Sequence, residues 1–298
     1  MRRALGLAAS AFILLLSPGC CAKKDRPTGL RAELEGVLAE MEAAYRSGDT
    51  TALKAVLSSY RYADMHNMAV SRLLPFDANT IKEMGADPLG LDDYRFVKLL
   101  ENGDTAGLVY VRDEPGGRGP QKKPGVVFLV CRFVRESGGG KSGSIRWRSD
   151  SIGLMHANKY AEDGTEADYV PTKHMPEVAI DGVVRKAPPL CPMPDYRGKV
   201  SRMCYGYEVT LTINGILQHL SGGGGGEGQL VGGLRAGENR VRIETAPVKG
   251  APSRKLEVEI LVPLPGDKWK KVFEYKPAKG KAAAVHEAVI AMPPPKAE

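Results

Sequence analysis

The stretch LEGVLAEMEAAYRSGDTTALKAVLS, residues 34–58, predicts two helices in succession and decides how the first half of the chain begins. Apolar residues in and just before it recur at spacings of three and four, which places them on one face of an α-helix. These residues are Leu30, Leu34, Val37, Leu38, Met41 and Tyr45. Gly48 suits the left-handed residue that ends a helix, and Asp49 suits the cap of the next helix. A third helix is predicted in MHNMAVSRLL, residues 65–74.

Strand signals follow these helices. YRFVKLLENGDTAGLVYVRDE, residues 94–114, contains two strands joined by an Asn-Gly pair, which is typical of a tight hairpin. Two further strands are predicted in GVVFLVCRFVRE, residues 125–136, and in SIRWRSDSIGLMHANK, residues 144–159. Helices that precede a run of antiparallel strands indicate an α+β fold over residues 29–169.

These two blocks together resemble a nuclear transport factor 2-like (SnoaL-like) domain. The resemblance is carried by the long first helix, the SGD junction between helices and a late strand that holds Trp147. It implies a cone made of three helices and a curved antiparallel sheet, with a pocket at the open end. Family members include isomerases, dehydratases and cyclases, while others bind a ligand or a partner. Members often dimerise through the sheet, so a homodimer is one expectation for this chain.

The resemblance makes four residues candidates for catalysis, because catalytic members use a carboxylate or a His–Asp pair inside the pocket. Asp150 and His156 lie on one predicted strand at an even spacing, so both side chains can point to one face. Tyr60 and Asp64 lie around the second and third predicted helices. A His–Asp base in an apolar cavity suits proton abstraction next to a carbonyl. The simpler interpretation is that Asp150 pairs with Arg148 at the surface and that His156 is a polar residue at a strand end.

The second half, residues 170–293, is dominated by short strands between turn signals, which indicates an all-β sandwich followed by a tail, residues 294–298. Its strand segments are EVAIDGVVRK, YGYEVTLTINGILQHL, GENRVRIETAP, KLEVEILVPL and KWKKVFEYKP. TINGILQHL and GGLRAGENRVRIETA are similar to a pattern of immunoglobulin-like and galactose-binding-like sandwiches. Asn239 is then a turn-former rather than a ligand contact. Sugar binding has little support, since Trp269 is the only tryptophan of this half.

Neither half carries a recognisable cofactor or metal motif. SGGGGGEG, residues 221–228, matches a dinucleotide-binding pattern as any glycine run would, and we expect a loop between strands there. RESGGGKS, residues 135–142, lacks the first glycine of a phosphate loop and leads into a predicted strand. The net charge of +7 is spread along the chain without a basic helix, which excludes the nucleic-acid-binding class. We therefore expect no cofactor, no metal ion and no nucleic-acid partner.

The first residues indicate export. Two arginines precede an apolar run, residues 4–16, which is shorter than the roughly 20 residues that cross a bilayer and is typical of a signal peptide. LSPGCC then resembles the lipobox of bacterial lipoproteins, which implies removal of residues 1–19 and a lipid on Cys20. Ser17 departs from that pattern, because the family usually has leucine there. The alternative is ordinary cleavage before Lys23, after an A-x-A-like site.

A lipid on Cys20 would attach the chain to a bacterial membrane. Residues 20–28 would then form a tether of at most about 35 Å. Lipoprotein families that use a sorting signal retain proteins at the inner membrane through aspartate after the lipidated cysteine. Cys21 stands there instead, which favours the periplasmic face of the outer membrane.

Two of the remaining cysteines suggest a disulfide. Cys191 and Cys204 flank a turn-rich segment, and a bridge between them would contribute about 3 kcal/mol by closing a short loop. Cys131 lies within an apolar strand and is predicted to be a buried small hydrophobe.

Together these patterns predict a membrane-anchored, exported protein without catalytic activity. It would bind a small hydrophobic ligand or a protein partner in the cell envelope. The alternative is a pocket enzyme of the isomerase or hydratase type, with a carboxylate or a histidine as its base.

Overall fold

The computed structural model describes most of the chain beyond the predicted tether. The described residues are 29–84, 90–118, 123–137, 145–159, 165–169, 176–218, 224–266, 268–278 and 281–295. The predicted signal peptide and the tether with Cys20 lie outside these ranges. Within them, every helix is too short or too polar to cross a bilayer.

Four helices open the described part of the chain. They are α1 (Leu30–Ser47), α2 (Thr50–Val56), α3 (Ser59–Ser71) and α4 (Ala78–Met84). The junction of α1 and α2 forms as predicted, because Gly48 is left-handed with φ 71°. The Asp49 carboxylate accepts hydrogen bonds of 2.9 Å from the amides of Thr51 and Ala52. The prediction of three helices is wrong by one, since α4 was not expected.

The second predicted helix is shorter than its apolar pattern, because Leu57 and Ser58 leave the helix. The Ser58 amide donates to the Ser149 carbonyl at 2.8 Å, and the Ser58 hydroxyl caps α3 by accepting from the Arg61 amide at 2.9 Å. A contact with a distant strand therefore ends α2, and Tyr60 belongs to α3.

A four-stranded antiparallel sheet with the order β1-β2-β3-β4 follows the helices. Its strands are β1 (Arg95–Asn102), β2 (Thr105–Arg118), β3 (Lys123–Ser137) and β4 (Ile145–Asn158). The helices pack on one face, where their apolar side chains share a core with those of the sheet. This core includes Leu34, Leu38, Leu53, Met65, Leu108, Phe133 and Trp147. Helices packed on an antiparallel sheet confirm the predicted α+β class.

The rest of the chain forms two further four-stranded antiparallel sheets, with the orders β11-β10-β5-β8 and β12-β9-β6-β7. The first four of these strands are β5 (Lys199–Tyr205), β6 (Tyr207–Ile213), β7 (Ile216–Leu217) and β8 (Gly224–Gln229). The last four are β9 (Gly237–Pro247), β10 (Lys255–Leu264), β11 (Lys268–Tyr275) and β12 (Val285–Met292). Both sheets contribute to one core, which includes Val200, Val258, Ile260, Leu211, Val241 and Ile243.

The glycine run was expected to be a loop, and for the part that the structure describes this is wrong. Residues 224–229 form β8, which pairs with β5 along its whole length, from Gly224 opposite Cys204 to Gln229 opposite Lys199. Backbone pairing with an existing strand suffices here, although glycine has no side chain that favours a strand.

The predicted strand EVAIDGVVRK, residues 177–186, is also wrong. After a single 3-10 turn at Pro176–Val178 the segment is irregular. Its backbone groups bond to side chains of the first sheet instead of to a neighbouring strand. The Gly182 amide donates to the Thr105 hydroxyl at 2.9 Å, and the Asn102 amide donates to the Ile180 carbonyl at 3.3 Å.

The predicted disulfide is absent, because Cys191 and Cys204 are free thiols near opposite ends of β5. Cys191 packs against Gly232, beyond the first residue of that strand, whereas Cys204 is the last residue but one. The length of the strand puts roughly 15 Å between them, and a disulfide needs Cα atoms within about 7 Å. Cys131 is buried as predicted, and burial raises the pKa of its thiol to about 12.

Candidate functional site

Asp150 is the most enclosed of the four residues that the sequence nominated. It occupies a β-bulge in β4, opposite Arg132 and Phe133, so the strand alternation expected there is broken. Its side chain is only 1% exposed. The carboxylate pairs with the guanidinium groups of Arg132 and Arg185, and it accepts a hydrogen bond of 2.6 Å from the Ser58 hydroxyl.

The surroundings of Asp150 suit a structural role better than that of a general base. Two cations and a hydroxyl donor neutralise the carboxylate, so its charge is used within the protein. The expected surface pair with Arg148 is wrong as well. Arg148 donates instead to the carbonyls of Lys54 and Leu57, at 3.2 and 3.3 Å.

Arg132 extends this cluster to the irregular segment that follows the first sheet. Its side chain is 2% exposed. It donates to the carbonyls of Ala179 at 2.7 Å and Val183 at 2.5 Å, and it lies 3.3 Å from the Asp181 carboxylate. The Asp150 cluster, which we define as Ser58, Arg132, Asp150, Asp181 and Arg185, thereby holds residues 179–185 against β3 and β4.

His156 does not form the expected pair with Asp150. The two residues lie six positions apart on β4, which corresponds to roughly 20 Å. The His156 ring instead has its Nδ1 atom 3.4 Å from a carboxylate oxygen of Glu114. The structure therefore does not bring these two candidates together as a His–Asp pair.

Tyr60 and Asp64 both lie on α3, and neither forms a catalytic pair with Asp150. The guanidinium of Arg185 lies 4.2 Å above the Tyr60 ring, which helps to orient that arginine towards Asp150. Burial raises the pKa of the Tyr60 hydroxyl, and the charge of Asp64 raises it further. Asp64 itself makes a partly exposed ion pair of 3.9 Å with Arg61.

A cleft of about 620 Å³ lies where the C-terminal end of α3 meets the sheet that contains β5, β8 and β11. This volume is in the range of small-molecule sites. The helix side contributes Ser71, Arg72 and Leu74. The sheet side contributes Arg197, Gly198, Lys199, Glu227, Gly228, Gln229 and Trp269. We call this the α3–β8 cleft.

Hydrogen bonds between α3 and the end of β8 fix the two walls of the cleft. Arg72 Nε donates to the side-chain oxygen of Gln229 at 2.9 Å, and the Gln229 amide donates to the Met68 carbonyl at 3.5 Å. Just below, the Ser71 hydroxyl accepts from the Gly232 amide at 2.7 Å. The walls are therefore joined by polar contacts.

The charge of the cleft is positive. Of its three cations, Lys199 pairs with Glu227 at 2.7 Å. Arg72 bonds to a neutral amide. Arg197 is exposed, and no hydrogen bond or ion pair joins it to any described residue. Two of the three cations are thus not neutralised by the residues that line the cleft.

An apolar surface lies beside these cations. Trp269 is 40% exposed and Leu74 is 39% exposed, and the Lys199 ammonium lies 4.7 Å from the centre of the tryptophan ring. A Cβ atom on Gly228 would meet no atom within 4 Å, so the space beside this glycine is open. The cleft therefore offers positive charge and apolar contacts to one occupant.

A second groove of about 530 Å³ lies on the outer face of the sheet that contains β6, β9 and β12. One of its two arginines is already paired, since Arg242 lies 2.7 Å from both Glu244 and Glu287. Elsewhere in the described residues, Glu257, Glu259 and Glu274 lie together on β10 and β11. Lysine ammonium groups reach all three carboxylates at 2.7–3.0 Å, so these acids form a surface ion-pair network.

Sequence reasoning missed every charged residue of the α3–β8 cleft. Arg72 directly follows α3, Arg197 precedes β5 and Lys199 begins it. Trp269 is the second residue of β11, so the set has no common spacing. The one available signal was Trp269, an aromatic residue among lysines. Comparison with known proteins adds nothing to this geometry, because no family model, curated protein or solved structure matches the chain.

Proposed function

We propose that this protein is an exported, lipid-anchored component of the bacterial cell envelope that binds a small anionic ligand without transforming it. The observation that carries the proposal is the α3–β8 cleft, with Arg72 and Arg197 beside Trp269. Charged hydrogen bonds from arginine bind carboxylates and phosphates well, and an aromatic side chain binds an apolar part of the same molecule. The enzyme alternative is less favoured, because Asp150 is neutralised by two arginines and His156 lies far from it.

We further propose that the helical half is a nuclear transport factor 2-like cone and that the two later sheets form a sandwich. The first proposal is supported by helices packed on one face of an antiparallel sheet. The second is supported by the single core that both later sheets share. Outer-membrane attachment through Cys20 remains part of the proposal, on the basis of the lipobox resemblance.

The lipid anchor predicts the mass of the mature protein. We expect the full-length protein, extracted in mild detergent from its own membranes, to begin at Cys20 and to carry acyl chains. Two or more acyl chains give stable attachment, whereas one chain gives only marginal attachment. Intact-mass spectrometry measures both features together, and an unmodified chain that begins at Lys23 would contradict the anchor.

The cleft predicts binding of an anionic aromatic probe. We expect 1-naphthyl phosphate to bind the full-length protein in an uncharged detergent, as measured by isothermal titration calorimetry. Arg197→Ala should weaken binding by about tenfold, because a hydrogen bond to a charged group contributes about 1.5–3 kcal/mol. Gln229→Glu should weaken it similarly, since the new carboxylate would pair with Arg72 and repel the probe.

Arg240→Ala is the matched control for these two variants. It removes the same charge as Arg197→Ala, but from the groove on the other sheet. Binding by this control should equal that of the unmodified protein. Equal weakening by Arg240→Ala and Arg197→Ala would show that only net charge matters, and unchanged binding by Arg197→Ala and Gln229→Glu would place the probe outside the cleft.

A further inference from the structure

Two leucines next to the cleft are exposed to solvent, and one of them has a left-handed backbone conformation. Leu73 and Leu74 follow the end of α3 and are 42% and 39% exposed. Leu73 has φ 62°, a left-handed conformation that costs free energy in any residue with a Cβ atom. Two backbone hydrogen bonds hold the turn: the Leu73 amide donates to the Val70 carbonyl at 2.9 Å, and the Leu74 amide donates to the Ala69 carbonyl at 3.2 Å. A strained backbone thus keeps two apolar side chains in solvent beside Arg72.

The hairpin between β10 and β11 has the same composition on the sheet side of the cleft. Leu264 is 44% exposed and pairs in register with Lys268, next to Trp269. Lys268 and Lys270, which flank Trp269, are exposed as well. Exposed leucine, tryptophan and lysine residues therefore lie close together in the sequence of this tip, as Arg72 and two leucines do at the end of α3.

We define the basic–apolar rim as these two segments together with the cations of the cleft. Its members are Arg72, Leu73, Leu74, Arg197, Lys199, Leu264, Lys268, Trp269 and Lys270. Tryptophan at the interface, leucine beneath it and lysine or arginine at the headgroups is the composition of surfaces that bind to membranes. Each basic side chain near an anionic bilayer adds electrostatic attraction to the membrane surface.

We propose that the α3–β8 cleft binds the phosphate of an anionic phospholipid headgroup while the leucines of the rim and Trp269 enter the membrane interface. This inference rests on the proposed function and names the ligand of the same cleft. Arg72 and Arg197 contact the phosphate, and the open space beside Gly228 accommodates the headgroup. A free phosphate ester offers the same anion, but it leaves the four exposed apolar side chains of the rim in water.

The test uses the full-length protein anchored in vesicles and reads the contact through Trp269. One set of vesicles contains phosphatidylglycerol and the other only phosphatidylcholine, each brominated in the upper part of the acyl chain. Bromine quenches tryptophan at short range, and Trp147 is buried, so quenching reports Trp269. Quenching should occur with phosphatidylglycerol and should be largely absent with phosphatidylcholine. In phosphatidylglycerol vesicles it should disappear in Trp269→Phe and fall strongly in Arg197→Ala. Arg240→Ala should be quenched like the unmodified protein.

A second arm adds sn-glycerol 3-phosphate to the protein in uncharged detergent, followed by calorimetry. If the ester binds in a way that depends on Arg197 but vesicles give no quenching, the proposal of a lipid ligand is overturned. The proposed function then still stands. If neither the ester nor 1-naphthyl phosphate binds and the vesicles give no quenching, both the lipid ligand and the proposed function are overturned. Equal quenching in both kinds of vesicle, or quenching that Arg197→Ala leaves unchanged, overturns recognition of an anionic headgroup by the cleft.

Discussion

Asp150→Asn is expected to lower the free energy of unfolding of the helical half by about 3 kcal/mol or more. The substitution keeps the shape of the side chain but removes the charge that faces Arg132 and Arg185. Arg132 is 2% exposed, so water cannot replace the lost partner, and breaking a buried ion pair in this way costs about 3–5 kcal/mol. Asp181 lies 3.3 Å from Arg132 and offers partial compensation, which places the expected value near the lower end.

The measurement is urea unfolding followed by the fluorescence of Trp147, which lies three residues from Asp150 on β4. A Trp269→Phe background removes the signal of the other tryptophan. Asp64→Asn is the matched control, because its ion pair with Arg61 is about one-third exposed and should contribute less than about 1 kcal/mol. A midpoint for Asp150→Asn equal to that of Asp64→Asn would show that the cluster does not hold the helical half together.

The sequence predicted those parts of the fold that depend on neighbours along the chain. The end of α1 at Gly48 and the cap at Asp49 need only residues within one turn, and both formed as expected. The α+β class needed only the order of helices and strands. The signal for α4 was equally local and was overlooked, since the Asp77 carboxylate accepts hydrogen bonds of 3.0 Å from the amides of Asn79 and Thr80.

Contacts between distant residues explain the errors. Ser58 ends α2 because its amide bonds to Ser149, ninety-one positions away, and no local pattern contains that information. The bulge at Asp150 likewise interrupts the alternation of side chains along β4, so alternate residues on either side of it no longer share a face. The valine-rich segment, residues 177–186, has the composition of a strand, but Arg132 and Asn102 occupy carbonyls that a neighbouring strand would have used. The candidate cleft was missed for the same reason, because its walls come from four separate parts of the chain.

The largest expected effect in the second half comes from Asn239, which the sequence predicted to form a turn. The side chain is fully buried, and every polar atom of its amide is used. Its oxygen accepts from the Arg235 amide at 2.8 Å and from the Asn214 side chain at 2.9 Å. Its nitrogen donates to the carbonyls of Arg235 at 2.7 Å, Gly237 at 3.3 Å and Ile290 at 3.4 Å. One amide therefore joins the turn before β9 to β12 and to Asn214, which directly follows β6.

Asn239→Ala should lower the free energy of unfolding of this half by about 2–4 kcal/mol, because each buried polar group that loses its partner costs about 1–3 kcal/mol. Hydrogen exchange of peptides from β6, β9 and β12 should become faster, while peptides from β1 to β4 keep their protection. Glu238→Ala changes the adjacent exposed residue and should leave both sets unchanged. Unaltered protection of β9 in Asn239→Ala would mean that water reaches the turn and replaces the amide, and Asn239 would then be a surface residue in solution.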